Sequence, residues 1–188
     1  MYRIKNGEWK YLGNRISNGK VSSIPVKVKN ADLESFKILN HLYAKDKNNV
    51  YFQNKKIISA DLKTFSLIDD LNAKDKNHAY FLGESLYGIE PENFFSIGNG
   101  YTTDGKQVYY GGKHVYEADH NSFQSFAIGR AFDVNHIFLH HEPEVSICDL
   151  SMKEVEEYIE HSFKCEKNKT LFRINHMDTE KRHQLLGT

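Results

Sequence analysis

Asp46-Lys47-Asn48-Asn49-Val50-Tyr51-Phe52 returns 29 residues later as Asp75-Lys76-Asn77-His78-Ala79-Tyr80-Phe81. The same step gives Asp104-Gly105-Lys106-Gln107-Val108-Tyr109-Tyr110 and then Asp133-Val134-Asn135-His136-Ile137-Phe138-Leu139. A second element keeps the interval: Asp32-Leu33-Glu34-Ser35-Phe36, Asp61-Leu62-Lys63-Thr64-Phe65, Glu90-Pro91-Glu92-Asn93-Phe94 and Asp119-His120-Asn121-Ser122-Phe123. A fixed period of this size marks a repeat architecture, in which each unit buries its apolar face against its neighbours. Residue types that recur in every unit are read first as scaffold.

Within a unit, residues 49–53 and 56–59 have strand composition and flank a polar turn at Asn54-Lys55. Residues 108–110 and 114–116 repeat the plan around Gly111-Gly112, so each pair reads as a β-hairpin. The Asp of Asp-x-x-x-Phe then caps a short helical turn. A third strand follows, at 65–68 or 95–97, and a loop leads to the next Asp-Lys-Asn turn. Stacked units place equivalent side chains in columns. Tyr51, Tyr80, Tyr109 and Phe138 form one, with Phe52, Phe81, Tyr110 and Leu139 on the opposite sheet face. Phe36, Phe65, Phe94 and Phe123 form a third, and Leu39, Ile68, Ile97 and Phe126 a fourth. A fifth, Ile57, Leu86 and Val115, fails at Glu144.

The ends differ. Residues 1–16 read as a hairpin with an Asn6-Gly7 turn. Residues 17–39 keep Asp32 and Phe36 but show Ser22-Ser23 where the ring pair falls elsewhere. Ser151-Met152-Lys153-Glu154 is a capping box that opens an amphipathic helix to about Lys164, with Met152, Val155, Ile159 and Phe163 on one face. A short strand at 170–174 and a polar tail from Asp178 follow. The expected fold is mainly β: one domain over 1–188, with about five 29-residue hairpin-plus-helical-turn units over 17–150 stacked in an elongated array. The helix and strand of 151–177 close it.

Lys plus Arg and Asp plus Glu number 25 each, which gives no overall footprint for nucleic acid or an anionic membrane. No apolar stretch follows Met1, and no run is long enough to span a bilayer, so a cytoplasmic protein is expected. Cys148 and Cys165 form no ligand-spaced pair and read as reduced thiols. Asp and Asn at alternate positions suit calcium, but a full loop needs more oxygens and a downstream Glu, whereas here strand begins at once. Turn chemistry is the reading adopted. His136, His140 and His141 cluster, yet adjacent residues point to opposite sides of a strand, which makes His140 and His141 poor co-ligands. No nucleophile elbow and no Gly-rich loop entering a helix is present. No catalytic residue, metal or cofactor is therefore expected. The Tyr and Phe ladders admit two readings, core packing and an exposed platform for a glycan or small molecule; core packing is preferred.

The last unit departs furthest from the pattern, with Leu139-His140-His141-Glu142-Pro143-Glu144 in place of a simple turn. Together with Glu154, Glu156, Glu157 and Glu160 it supplies an acidic C-terminal surface. His140, His141, Glu142, Glu144, Glu154, Glu156, Glu157 and Glu160 are the candidate partner-binding residues, because the scaffold does not require them.

The units resemble the DKNYY repeat family of bacterial proteins, named for its Asp-Lys-Asn-Tyr-Tyr run. Residues 46–52 and 75–81 match best; 104–110 keeps the Asp and both tyrosines, and 133–139 is degenerate. The resemblance spans about residues 17–150 and rests on period and motif order. It implies a binding module without established catalytic residues. Some such proteins lie in neighbourhoods of bacterial toxin systems, which implies an immunity protein that binds and blocks a cognate toxin.

Overall fold

The computed structural model describes residues 1–17, 20–147, 151 and 153–158. The chain is mainly β, in small antiparallel sheets, and divides into two compact bodies, Met1–Phe94 and Phe95–Thr188.

The N-terminal body opens with β1 (Tyr2–Lys5), β2 (Glu8–Ser17) and β3 (Lys20–Lys27), a three-stranded sheet in chain order. Two four-stranded meanders follow. The first holds β4 (Lys37–Ile38), β5 (Tyr43–Lys45), β6 (Val50–Phe52) and β7 (Lys55–Lys56). The second holds β8 (Ser66–Leu67), β9 (Asn72–Lys74), β10 (Ala79–Phe81) and β11 (Glu84–Leu86). The C-terminal body holds two more. One comprises β12 (Phe95–Gly98), β13 (Tyr101–Thr103), β14 (Val108–Tyr110) and β15 (Lys113–His114). The other comprises β16 (Gln124–Ala127), β17 (Arg130–Phe132), β18 (His136–Leu139) and β19 (Glu142–Ser146). Each four-stranded sheet is thus one sequence repeat, and within every sheet each strand pairs with its neighbour in the chain.

Three points of the sequence reading change. The stretch before each Asp-Lys-Asn turn, read as a loop, is the inner strand β5, β9, β13 or β17. Its three residues carry no shared alternation, and their common feature is a small residue in the middle. Ala44, Ala73, Thr102 and Ala131 are all buried there, because an inner strand covered on both faces has room for little else. The hairpin turn sits one residue earlier than expected, at Gln53-Asn54, with Gln53 in the left-handed region; Leu82, Gly111 and His140 repeat that conformation. The N-terminal hairpin with its Asn6-Gly7 turn is present, but β2 runs on and pairs with β3 from Lys10↔Lys27 to Ser17↔Lys20. The Asp-x-x-x-Phe elements are single turns, as expected, and Pro91–Asn93 forms a 3-10 turn.

Rings make much of the core of each body. Tyr51, Tyr80, Tyr109 and Phe138 are buried, while Phe52, Phe81, Tyr110 and Leu139 on the other face are half-buried, so both faces are covered. In three repeats the Phe of Asp-x-x-x-Phe touches the ladder ring: Phe36–Tyr51 at 5.6 Å, Phe65–Tyr80 at 5.6 Å and Phe123–Phe138 at 5.4 Å between centroids. It also reaches an inner-strand ring of the preceding repeat, Tyr43–Phe65 at 5.9 Å and Tyr101–Phe123 at 5.1 Å. The Tyr43 hydroxyl donates to the Leu71 carbonyl at 2.8 Å and accepts from Gly83 N–H at 2.9 Å, tying one repeat to the next. Residues 153–158 are helical, with Val155 buried. The remainder of the expected helix, the strand at 170–174, the tail and both cysteines lie outside the described residues.

Gly83 combines φ +79° with a ring against its Cα: a Cβ there would lie 2.4 Å from Phe52 Cβ. Gly7 has a similar φ, +69°, and open space. Gly83→Ala should lower the free energy of urea unfolding by about 3 kcal/mol, and Gly7→Ala by about 1 kcal/mol. Equal losses would mean that Phe52 yields without cost.

Candidate functional site

The polar group that recurs in every repeat is the Asp that opens the DKN run, and its position is buried: Asp46, Asp75, Asp104 and Asp133. A buried carboxylate is tolerated when its lone pairs are satisfied. Asp75 meets this condition fully. Its Oδ1 accepts from Asn77 N–H at 2.7 Å and His78 N–H at 2.8 Å, closing the turn. Its Oδ2 accepts from Asp61 N–H and from the Tyr80 hydroxyl, both at 2.7 Å. Asp46 repeats the set with Asn48, Asn49, Asp32 and Tyr51. One carboxylate therefore fixes the turn, the ladder tyrosine and the Asp-x-x-x-Phe element of its repeat.

A second wire runs beside it. Lys47 N–H donates to Ser35 Oγ, Lys76 N–H to Thr64 Oγ1 and Val134 N–H to Ser122 Oγ, at 3.0, 3.1 and 3.3 Å. Lys47 and Lys76 also reach Asp32 and Asp61 with their ammonium groups. The role of Ser35, Thr64 and Ser122 was missed in the sequence, although a hydroxyl immediately before Phe at the 29-residue step was its signal.

Burial alone would raise these carboxyls. In Asp46, Asp75 and Asp104 the N–H donors and the tyrosine hydroxyl outweigh burial and hold each below the ordinary Asp value. On the partner side, burial and then the Asp46 carboxylate push the Tyr51 phenol up to about 12. A calcium ion at Asp46 or Asp75 would have to displace four donors that hold the fold. Among the described residues, no group of three or more His, Cys, Asp or Glu is placed to hold a metal ion.

The fourth repeat breaks the set. Asp133 keeps both turn N–H donors and Asp119 N–H, but Phe138 brings no hydroxyl to Oδ2. The side chain of Asn49, His78 or Gln107 meets the ladder hydroxyl in the other repeats; His136 has none to meet, and its Nδ1 is buried without a partner.

The candidate partner-binding residues all belong to the C-terminal body. His140 and His141 lie in the β18–β19 turn rather than on a strand. His140, at φ +60°, packs on Tyr110 at 5.0 Å and over Gly129. His141 faces Glu142 at 3.2 Å. Glu144 occupies a β-bulge, since Ile137 pairs with Val145 and Phe138 with Pro143. The bulge explains how a Glu interrupts an apolar column: the carboxylate lies outward, 3.4 Å from Arg130 and bonded to Tyr158. Glu154 Oε2 accepts from Ser151 N–H and Oγ, which realises the capping box and occupies this acid structurally. Glu157 stands exposed, 3.6 Å from Lys153. Glu156 is exposed on the same helical segment, and Glu160 lies outside the described residues. The ladder rings are core; well-exposed aromatics are single residues such as Tyr87 and Tyr116.

A family model described as the DKNYY family matches residues 15–123. No curated protein and no solved structure matches the chain. Among the described residues, no helix is long and apolar enough to cross a membrane.

The lowered Asp values give stability present above the unfolded value, near 4, and lost as pH falls through the lower folded values. Urea unfolding free energy should therefore drop between pH 7 and pH 3. Asp75→Asn should cost about 2–3 kcal/mol at pH 7 and flatten that drop. Phe138→Tyr, supplying the missing hydroxyl, should gain about 1 kcal/mol; a loss would show that the space beside Asp133 is filled.

Proposed function

The chain belongs to the DKNYY family, and from that premise we propose that it is a non-enzymatic, cytoplasmic binding protein that neutralises a cognate bacterial toxin by occluding it. One observation carries the reading. The recurring groups able to do chemistry, the buried carboxylates and the ladder tyrosines, are consumed in holding the repeats, so function falls to surfaces that the repeat does not dictate. In this reading the repeats stack as an elongated array, and the amphipathic helix that begins at 153 caps it. The last hairpin and that helix offer Glu142, Glu156 and Glu157 to a basic, nuclease-like cleft, where complementary charge speeds encounter. Family analogy supplies the toxin, and the divergence of the last repeat supplies the face.

Affinity capture of the tagged protein from its native lysate, with co-expression of the adjacent gene's product, tests the proposal. The expected outcome is a captured protein whose lethality this chain relieves; a harmless neighbour and no captured protein would refute immunity. Glu157→Lys is the informative variant of the face, because replacing Glu154 would also remove a helix cap. It should weaken binding roughly tenfold and flatten its salt dependence. Unchanged affinity would remove the C-terminal face from consideration.

A further inference from the structure

The register of the first sheet sorts its side chains by face. Tyr2, Tyr11 and Val26 lie opposite one another across β1, β2 and β3, and so do Arg3, Lys10 and Lys27. Lys5 pairs with Glu8 on the same side as Arg3, two residues along. The two rings of the first set belong to the core, although Val26 is exposed: Tyr2 and Tyr11 are buried, and Trp9 beside them stacks on Phe36 at 4.5 Å. The second set is therefore the outer face, with four cations and one anion.

A solvated sheet face needs polarity, but it does not need one sign of charge, and like charges directly opposite across strands destabilise a sheet. Glu8 answers two of the four, bonding Lys10 at 2.6 Å and also Lys27. Arg3 and Lys5 make no ion pair among the described residues, and neither does Lys29 just past β3. The first 29 residues hold seven Lys or Arg against Glu8, while the chain as a whole is balanced at 25 of each sign. The excess of basic residues therefore lies in the first 29 residues, although the strands β4–β7 also hold Lys37, Lys45, Lys55 and Lys56 without an acid.

Lys27 and Lys29 also border a pocket of about 410 Å3 beside the β1–β2 turn, lined by residues from both faces, among them Gly7, Glu8, Trp9, Val28 and Leu33. Its lining is mixed, with Trp9, Val28 and Leu33 as the apolar part and Glu8, Lys27, Lys29 and Asn30 as the polar part. The apolar part, Trp9 with Val28 and Leu33, has room for an apolar side chain. We propose that this face docks an acidic segment of a partner protein, an apolar side chain seated against Trp9 and Leu33 and carboxylates meeting Arg3, Lys5 and Lys29. A nucleic acid fits less well, since fifteen basic residues face eleven acidic ones over 1–94, too close a balance for a strong phosphate-binding body. The inference rests on the protein-binding reading above and adds a surface of opposite charge to the C-terminal one.

Fluorescence anisotropy with a labelled poly-glutamate peptide carrying one central Phe tests it on the full chain. The wild type should bind the peptide, and should bind a version with Gly for Phe more weakly. The triple variant Arg3→Glu, Lys5→Glu, Lys29→Glu should weaken binding roughly tenfold or more and flatten its salt dependence. Lys63→Glu, at an exposed position elsewhere in the same body, should leave binding unchanged. Glu8→Gln, which frees Lys10 and Lys27, should tighten binding about threefold, and it decides the matter if the triple variant fails to fold. Equal binding by wild type and folded triple variant, or tighter binding of an oligothymidylate than of the peptide, would overturn the proposal. Capture of a native partner equally by wild type and triple variant would remove this surface and leave the protein-binding reading standing; capture by neither would remove that reading itself.

Discussion

A carboxylate buried in every repeat constrains the rest of the fold. The strands of the repeats, two to five residues long, have too few ladder bonds and too little apolar contact to be stable alone. In each repeat an Asp with a fixed set of donors gathers what the strands cannot. Asp75 binds its own turn, the ladder tyrosine five residues on and a backbone N–H fourteen residues back. Desolvating the charge makes each donor count, although Asp133 shows that the repeat still forms when the ladder hydroxyl is missing. Such a node has little freedom to vary, which is why the Asp and its turn are the clearest signal in the sequence.

The parts of the fold that were legible in the sequence are those fixed by this node and by the rings. Period, hairpins, single-turn elements and buried ring columns all follow from groups that must recur in type. The inner strands were not legible, because Tyr43-Ala44-Lys45 and Asn72-Ala73-Lys74 share only a small central residue, and three residues show no alternation. The third strand of the first sheet was hidden for another reason. Its pairing with β2 is specified by register rather than by a repeated residue, so comparison with the 29-residue unit looked for rings at Ser22-Ser23 and found none.

The candidate site was legible only in part. Departure from the repeat singled out His140, Glu144 and Glu154, and each has a structural duty: a ring packed over Gly129, a bulge bonded to Arg130 and Tyr158, and a helix cap. A residue that breaks a pattern often does so because the end of a repeat array needs different chemistry from its middle. Glu142 and Glu157 keep exposed carboxylates and carry more of the recognition argument than their neighbours.

The first sheet makes the opposite case. Sequence order scatters Arg3, Lys10 and Lys27, and only antiparallel pairing sets them opposite one another. A net charge of zero conceals this, because the rest of the chain is acidic by the same margin. Charge balance over a whole chain therefore says little about a repeat protein, whose ends are free to differ while its middle is held to a template. Within 1–94 the template has a related consequence: Asp46 and Asp75 are buried and fully bonded, so neither can form a direct ion pair with the cations of the outer sheet face, although each keeps its charge and still counts in the field that a partner meets.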